Sequence, residues 1–289
     1  MSDVVDLMRR IRNRAKDRPK RAMIQDNPLS DIAVSITLRA TEIALFKGAG
    51  VECNFDDETD ELIITSAPAD STANTIAVDR GQGGTAKAAH ALATALLVRP
   101  RFTNSELLER MTYIVENELW PHVWLAGEAK LTYQGTTEYY SPDVPDIEEV
   151  TGVYQLSGGY RYALMYDFLS RALGDDVNFP NGALTIQEEV DASDIYYSYR
   201  ARPTLGTLSS QLESLVVMGT VADLLMAEEG AHVGGDDSVV QGRVQDGSRL
   251  RAGAVLWDRF DGARTQRRIA LQHEEQMRRR QIAGVGSGR

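Results

Sequence analysis

From residue 33 to residue 79 no β-branched run goes far before a cluster of Gly, Asp or Pro cuts it short. "VSITLRATEIALF" gives way to "KGAGVECNF", then to acidic "DDETDE", to "LIITS", to "APADSTAN" and to "TIAVDR". Runs this short, with no long βαβ alternation around them, predict a small sheet or barrel. The glycine turn that follows and the helix-prone, Ala-rich stretch 85–98 close a small β-rich module over 31–101, just after Pro100.

That glycine turn, "RGQGGTAKAAH" at 80–90, invites comparison with a phosphate-binding loop. Such a loop needs a glycine beside its lysine and a Ser or Thr after it to hold magnesium. Here Ala86 precedes Lys87 and Ala88 follows it. The expectation is therefore a turn leading into a short helix, with no nucleotide and no other cofactor.

Around the module the periodicity changes. Val4, Leu7, Met8 and Ile11 fall on one side of a short helix, which "DRPKR" and "DNPLSD" break, so residues 1–30 read as a basic arm. Thr103 with Glu106 forms a capping box, and Leu107, Met111, Ile114, Val115 and Leu119 continue a helix over 103–119 until Trp120-Pro121 stops it. The segment 129–201 is β-like and holds most of the eleven tyrosines, at spacings that suit a half-buried sheet face. An apolar stripe of Leu208, Leu212, Leu215, Ala222 and Leu225 predicts a helix over 207–226. Residues 231–247 are polar and glycine-rich, which favours a flexible connection. The last long helix, 250–281, has a sparse apolar face of Leu256, Phe260, Ala263 and Ala270. So little apolar surface over so many turns predicts packing on a neighbour. The fold class expected is α+β, in which 102–289 forms one helical domain that carries the 129–201 β region.

Charge is unevenly spread. Residues 1–22 hold eight Arg or Lys against three Asp or Glu, and 248–289 hold ten against four, although the whole chain carries a net −11. Basic ends on an acidic body suit contact with another protein's acidic surface better than a grip on nucleic acid along the main surface. No run of about 18 apolar residues appears, so no membrane span is expected. "MSDVVDLMRRIRNRAKDRPKR" lacks the apolar core of a secretory leader. The single Cys53 leaves no intramolecular disulfide and no cysteine-based zinc site.

The search for catalytic chemistry returns nothing. His90, His122, His232 and His273 are scattered, without an HExxH pair, and His90 and His122 read as capping or packing residues. "LSGGY" at 156–160 is not a nucleophile elbow. The acidic clusters 56–61, 146–149 and 188–194 lack the alternation of a calcium loop and read as solvated. No catalytic, cofactor or metal residue is expected, and no enzyme.

Three segments together resemble one family. "LFKGAGVECNFDDETDELIITSAPADSTANTIAVDRGQGGTAKAAHA" is similar to a small β-module of tailed-bacteriophage virion proteins, in which a Val-x-Arg-Gly-x-x-Gly-Thr run (Val78 to Thr85) is followed five residues later by a histidine, His90. "TNSELLERMTYIVENELWPHVWLAGEAKLTYQGTTEYYSPDVPDIEEVTGVY" resembles the core of phage head-to-tail connector, or neck adaptor, proteins. The ending, an apolar helix, a glycine-rich loop and a basic helix with "RTQRRIALQHEEQMRRR", is similar to theirs too. The resemblance covers about 45–155 and 205–282, while 155–204 match nothing specific.

It implies a structural virion protein at the neck, made in the host cytoplasm and placed at the capsid vertex. There it would form a ring, usually twelvefold, between the portal protein and a downstream neck or tail protein, with duplex DNA passing through the lumen without sequence-specific binding. The partner-binding residues it points to lie on the last helix. They are the anchors Trp257 and Phe260 and the arginines Arg264, Arg267, Arg268, Arg278, Arg279 and Arg280. A neighbouring stopper or tail-completion protein remains open. So does a virion-associated glycan-binding or cell-wall-acting protein, in which the 129–201 tyrosines with Asp143, Asp146 and Glu148 grip a polysaccharide.

Overall fold

The computed structural model describes residues 3–131, 140–157, 160–170, 181–187, 190, 195–233 and 248–283. The chain is mixed α and β and divides into two compact units, neither continuous in sequence. One comprises 1–114 and 205–260, the other 115–204 and 261–289. These boundaries differ from the segments 31–101 and 102–289 anticipated from composition.

The first unit is built on a curled antiparallel sheet of six short strands, β1 (Lys20–Met23), β2 (Ser35–Thr37), β3 (Glu52–Phe55), β4 (Leu62–Thr65), β5 (Thr75–Asp79) and β6 (Ala95–Val98), in the order β1-β6-β3-β4-β5-β2. The two outer strands meet just beyond their ends, where Ile24 bridges Leu38 and the Gln25 N–H donates to the Thr37 carbonyl at 2.9 Å. Alternation explains the inside. Ile63, Ile76, Val78, Leu96 and Phe55 point inward with Phe46 and Val51, all nearly solvent-free. Fully burying each such aliphatic or aromatic side chain is worth about 1.5–3 kcal/mol. Thr65 is the polar member of this face. Its hydroxyl accepts the Val51 N–H at 2.9 Å and donates to the Gly48 carbonyl at 3.1 Å, so the buried oxygen is satisfied.

Two expectations change here. Residues 1–30, read as an arm, are integral to the unit. Asp3 caps helix α1 (Val4–Arg14), whose Leu7, Met8 and Ile11 are buried, and β1 pairs with β6 along its whole length. The Ala-rich stretch forms no helix, because its last four residues are taken by β6, buried at every position between β1 and β3. Neighbouring strands outweigh alanine's helix propensity.

Helices α2 (Asn104–Tyr113) and α3 (Ser210–Val233) complete this unit with the start of α4 (Ser248–Ala283). Thr103 caps α2 by accepting the Glu106 N–H at 3.1 Å. Arg12 ties the layers together. It is buried, and bonds Asp17, the Phe102 carbonyl and Asn104 Oδ1, while Asn104 Nδ2 donates to the Phe55 and Thr59 carbonyls. The segment Ser210–Glu228 does reach the length and apolarity of a membrane-crossing helix, contrary to the expectation from run length. Half of it is buried inside the protein, with Leu212, Val216, Val217, Val221 and Leu224 in the core, which accounts for its composition.

The second unit begins within a π-helical turn, Ile114–Leu119, in which the Trp120 N–H reaches back five residues to the Val115 carbonyl. It then builds a four-stranded antiparallel sheet from β7 (Leu125–Leu131), β8 (Ile147–Ser157), β9 (Tyr160–Leu164) and β12 (Ile195–Ala201), in the order β7-β12-β8-β9. A separate pair is formed by β10 (Tyr166–Leu169) and β11 (Ala183–Ile186). Its core gathers Leu131, Val153, Leu164, Leu184, Ile195 and Tyr197. Residues 132–139 of the β-like segment and most of the 231–247 segment lie outside the described residues.

Candidate functional site

Helix α4 carries every residue expected to bind a partner, and its sequence sets how it sits. Up to Phe260 it belongs to the first unit. Gly253 lets it approach α3 closely, since a Cβ there would lie 2.7 Å from Met226 Cγ and 3.1 Å from the Ala222 carbonyl oxygen. One helical face further along, Phe260 is fully buried, packed near Gly219 of α3 and tilted against Trp257 at 5.3 Å between ring centroids. Phe260 is therefore a core residue and not a presented anchor, and Trp257 is half-buried beside it. From Asp261 onward the helix belongs to the second unit. There Leu271 is buried, and buried Glu275 accepts the Trp124 Nε1–H at 2.7 Å and the Arg200 Nε–H at 2.6 Å, with the Arg200 guanidinium 4.4 Å over the Trp124 ring. A buried carboxylate so bonded is a structural tie.

The arginines divide by partner. Arg264 is turned inward, donating to the Glu118 carbonyl at 2.7 Å and to its carboxylate at 3.1 Å, and also bonds Asp261. Arg267 reaches Glu274 at 3.4 Å. Arg268 and Arg280 are exposed and Arg278 half-buried, while the Arg279 side chain lies outside the described residues. The helix's outward apolar residues are others. Val255 is 45 % exposed, Ile269 59 % and Met277 49 %. Within the second unit, at 3.6 residues per turn, Ile269, His273 and Arg280 fall within about 40° of one another, with Met277 about 40° further round. This face combines aliphatic side chains with cations. Sequence reasoning missed it because the largest aromatics were taken as anchors; the signal available was the pair of large aliphatic residues, Ile269 and Met277, eight residues apart among arginines.

A second cluster surrounds the glycine turn. Gly81, Gly83 and Gly84 all have left-handed φ, +66°, +62° and +83°. The turn returns the chain so that Arg80 and His90 meet Glu61. Arg80 pairs with both Glu61 oxygens, Nε to Oε1 at 2.7 Å and Nη2 to Oε2 at 2.6 Å. His90 joins Asp57 through Nδ1 at 2.6 Å and Glu61 through Nε2 at 2.9 Å, and its ring stacks on Phe55 at 3.4 Å. The side chains of His90 and Glu61 are fully buried. Burial pushes Glu61 up, but the bonds from His90, Arg80 and the Ala88 N–H outweigh it and hold the carboxyl down at about 2. Burial lowers His90, and Asp57 and Glu61 overcome that to raise it. Burial likewise opposes ionisation of Asp57, which His90 and Thr59 hold below the ordinary carboxylate range.

The 56–61 segment, expected to be solvated, thus supplies two members of a buried ion cluster. Two donors of this segment are committed inside the chain. The Ala88 N–H bonds Glu61 at 2.9 Å, and the Thr85 hydroxyl accepts from Leu62 N–H at 3.0 Å while donating to the Gln82 carbonyl. The anion at this loop is the chain's own glutamate. No group of three or more His, Cys, Asp or Glu residues is placed to hold a metal among the described residues.

No protein-family model matches the chain, and no curated protein does. Among solved structures it is similar to a chain from the neck of an empty GTA particle computed with C6 symmetry. The identity is 9 %, the alignment covers 54 % of this chain and 77 % of that one, and the TM-score is 0.21. Superposition that loose carries no argument about fold or role.

Proposed function

We propose that the protein is a structural, non-enzymatic component of a tailed-phage neck, a head-to-tail adaptor that forms a ring between the portal protein and the tail. The observation that supports this reading is the outward face of the second-unit part of α4, whose Ile269 and Met277 stay exposed beside Arg280. Apolar anchors ringed by arginine are the composition of protein interfaces. The neck-adaptor resemblance of 103–155 and 205–282 supplies the partner, a portal surface that takes the helix. Immunogold or cryo-electron microscopy of the virion tests the reading, with density at the vertex between capsid and tail as the expected result. Density on the capsid shell or tail tip would sink it.

One observation favours a second reading. Tyr160 and Tyr162, on the outer strand β9, are 59 % and 45 % exposed on one face of the strand, as sugar-stacking aromatics in a glycan-binding protein would be. Co-sedimentation with cell-wall polysaccharide tests it, and a Tyr160→Ala, Tyr162→Ala variant should then lose the binding.

A further inference from the structure

A cleft of about 420 Å³ in the first unit collects Arg18, Lys20, Lys47 and Arg99 from three separate stretches of chain. All four are exposed, none forms an ion pair among the described residues, and no acidic side chain lines the cleft. Several other cations of the same unit are spent internally, Arg80 on Glu61, Arg12 on Asp17, Arg21 on Asp56 and Arg110 on Asp223. Four unpaired cations converging in a protein of net charge −11 form a local island. The Debye length is about 8 Å at physiological salt, so distant carboxylates are screened while charges within the cleft act together.

Arg99 adds an independent sign. Its φ is +51°, a conformation that side chains with a Cβ rarely adopt, and its N–H is fixed to the Glu52 carbonyl at 2.8 Å. Glycine would occupy that corner without strain, yet the position carries a long cation aimed at the cleft rim.

We propose that this cleft docks the phosphodiester backbone of duplex DNA. The remaining lining is aliphatic, Pro19 and Leu45 among it, with no aromatic on which an unstacked base could lie and no Ser, Thr, Asn or Gln to read a base edge. Recognition rests on charge alone, which suits a repeated array of single negative charges with no sequence preference. The inference deepens the neck reading, on which its choice of duplex DNA rests, by naming the surface that would meet the backbone. A protein located at the neck can lack this contact, and a protein with this contact can sit elsewhere.

The test is fluorescence anisotropy of a labelled, mixed-sequence duplex titrated with the full-length chain at 50 and 200 mM NaCl. Four phosphate contacts give a log–log salt slope of about −3.6, so affinity should fall by about 150-fold between the two salts. Arg99→Gly removes one cation while relieving its backbone. It should keep the melting temperature at or above that of the parent and shrink the salt effect to about 40-fold. Lys47→Gln should do the same to the salt effect. Three results would overturn the proposal. The first is no binding at 50 mM NaCl, and the second a slope that both variants leave unchanged. The third is displacement of the duplex at constant ionic strength, either by millimolar inorganic phosphate, which reassigns the cleft to a small anion, or by poly-glutamate at equal charge, which reassigns it to an acidic protein segment.

Discussion

A histidine bonded through both ring nitrogens to carboxylates has to carry both ring protons for both carboxylates to stay ionised. His90 is in that position, and its consequence is a stability that falls away on two sides. Its folded pKa is raised above 6.5, so its contribution is complete below that value and is lost as pH rises through the folded one. Glu61 is held at about 2 against an ordinary 4.5, so its contribution is complete above 4.5 and is lost as pH falls toward 2. Thermal unfolding should therefore peak between about pH 4.5 and 6.5. His90→Gln should remove the alkaline decline and cost about 1–3 kcal/mol near the peak, since Glu61 loses one buried donor but keeps Arg80 and the Ala88 N–H. A variant whose pH profile parallels the parent's would contradict the assignment.

The glycines separate likewise. Gly84 faces open space, so Gly84→Ala should cost only the left-handed strain of about 1–2 kcal/mol. Gly81→Ala adds a Cβ 3.0 Å from the Thr85 carbonyl oxygen and should cost more, as denaturant titration of the two variants would show. At this scale the sequence made the positive-φ turn legible. It hid the cluster, because Asp57, Glu61, Arg80 and His90 converge only through strand pairing.

Among elements, α4 shows what periodicity can and cannot say. Its length was readable from the absence of proline over 248–283, as was its partly apolar face. Its rotation was not, because small residues decided it. Gly253 and Gly219 allow close helix packing and turn Phe260 inward, whereas a rule that favours large aromatics as anchors turns it outward. Truncation before the helix is thus no clean test, as it strips Phe260 and Leu271 from the cores. Point substitutions separate the roles. Phe260→Ala should destabilise the isolated chain by about 3–5 kcal/mol. Ile269→Asp with Met277→Asp should change its stability by no more than about 0.5 kcal/mol per site, yet abolish incorporation into particles, leaving filled heads without tails. Normal incorporation of the double variant would remove this face from the interface.

For the whole molecule, the small β-module was legible from its broken β-branched runs, but its closure was not. β1 reads "KRAM", with no strand signature, and becomes a strand because β6 offers it a partner. Tertiary pairing likewise converts the Ala-rich segment. The same contrast between what one chain supplies and what a neighbour must supply bears on assembly. The three exposed apolar residues of α4 can bury at most a few hundred Å², below the roughly 1,200 Å² of a stable interface. The isolated protein should therefore run as a 31.9 kDa monomer by light scattering at micromolar concentration. The ring should close only where a portal already holds the subunits side by side and raises their effective concentration. Twelve copies of the 31.9 kDa chain would add about 380 kDa to a portal-bound neck, which mass photometry of portal with and without added protein can read. A preformed ring in the absence of portal would show that interfaces other than α4 drive assembly, and addition of a single copy per portal would end the adaptor reading.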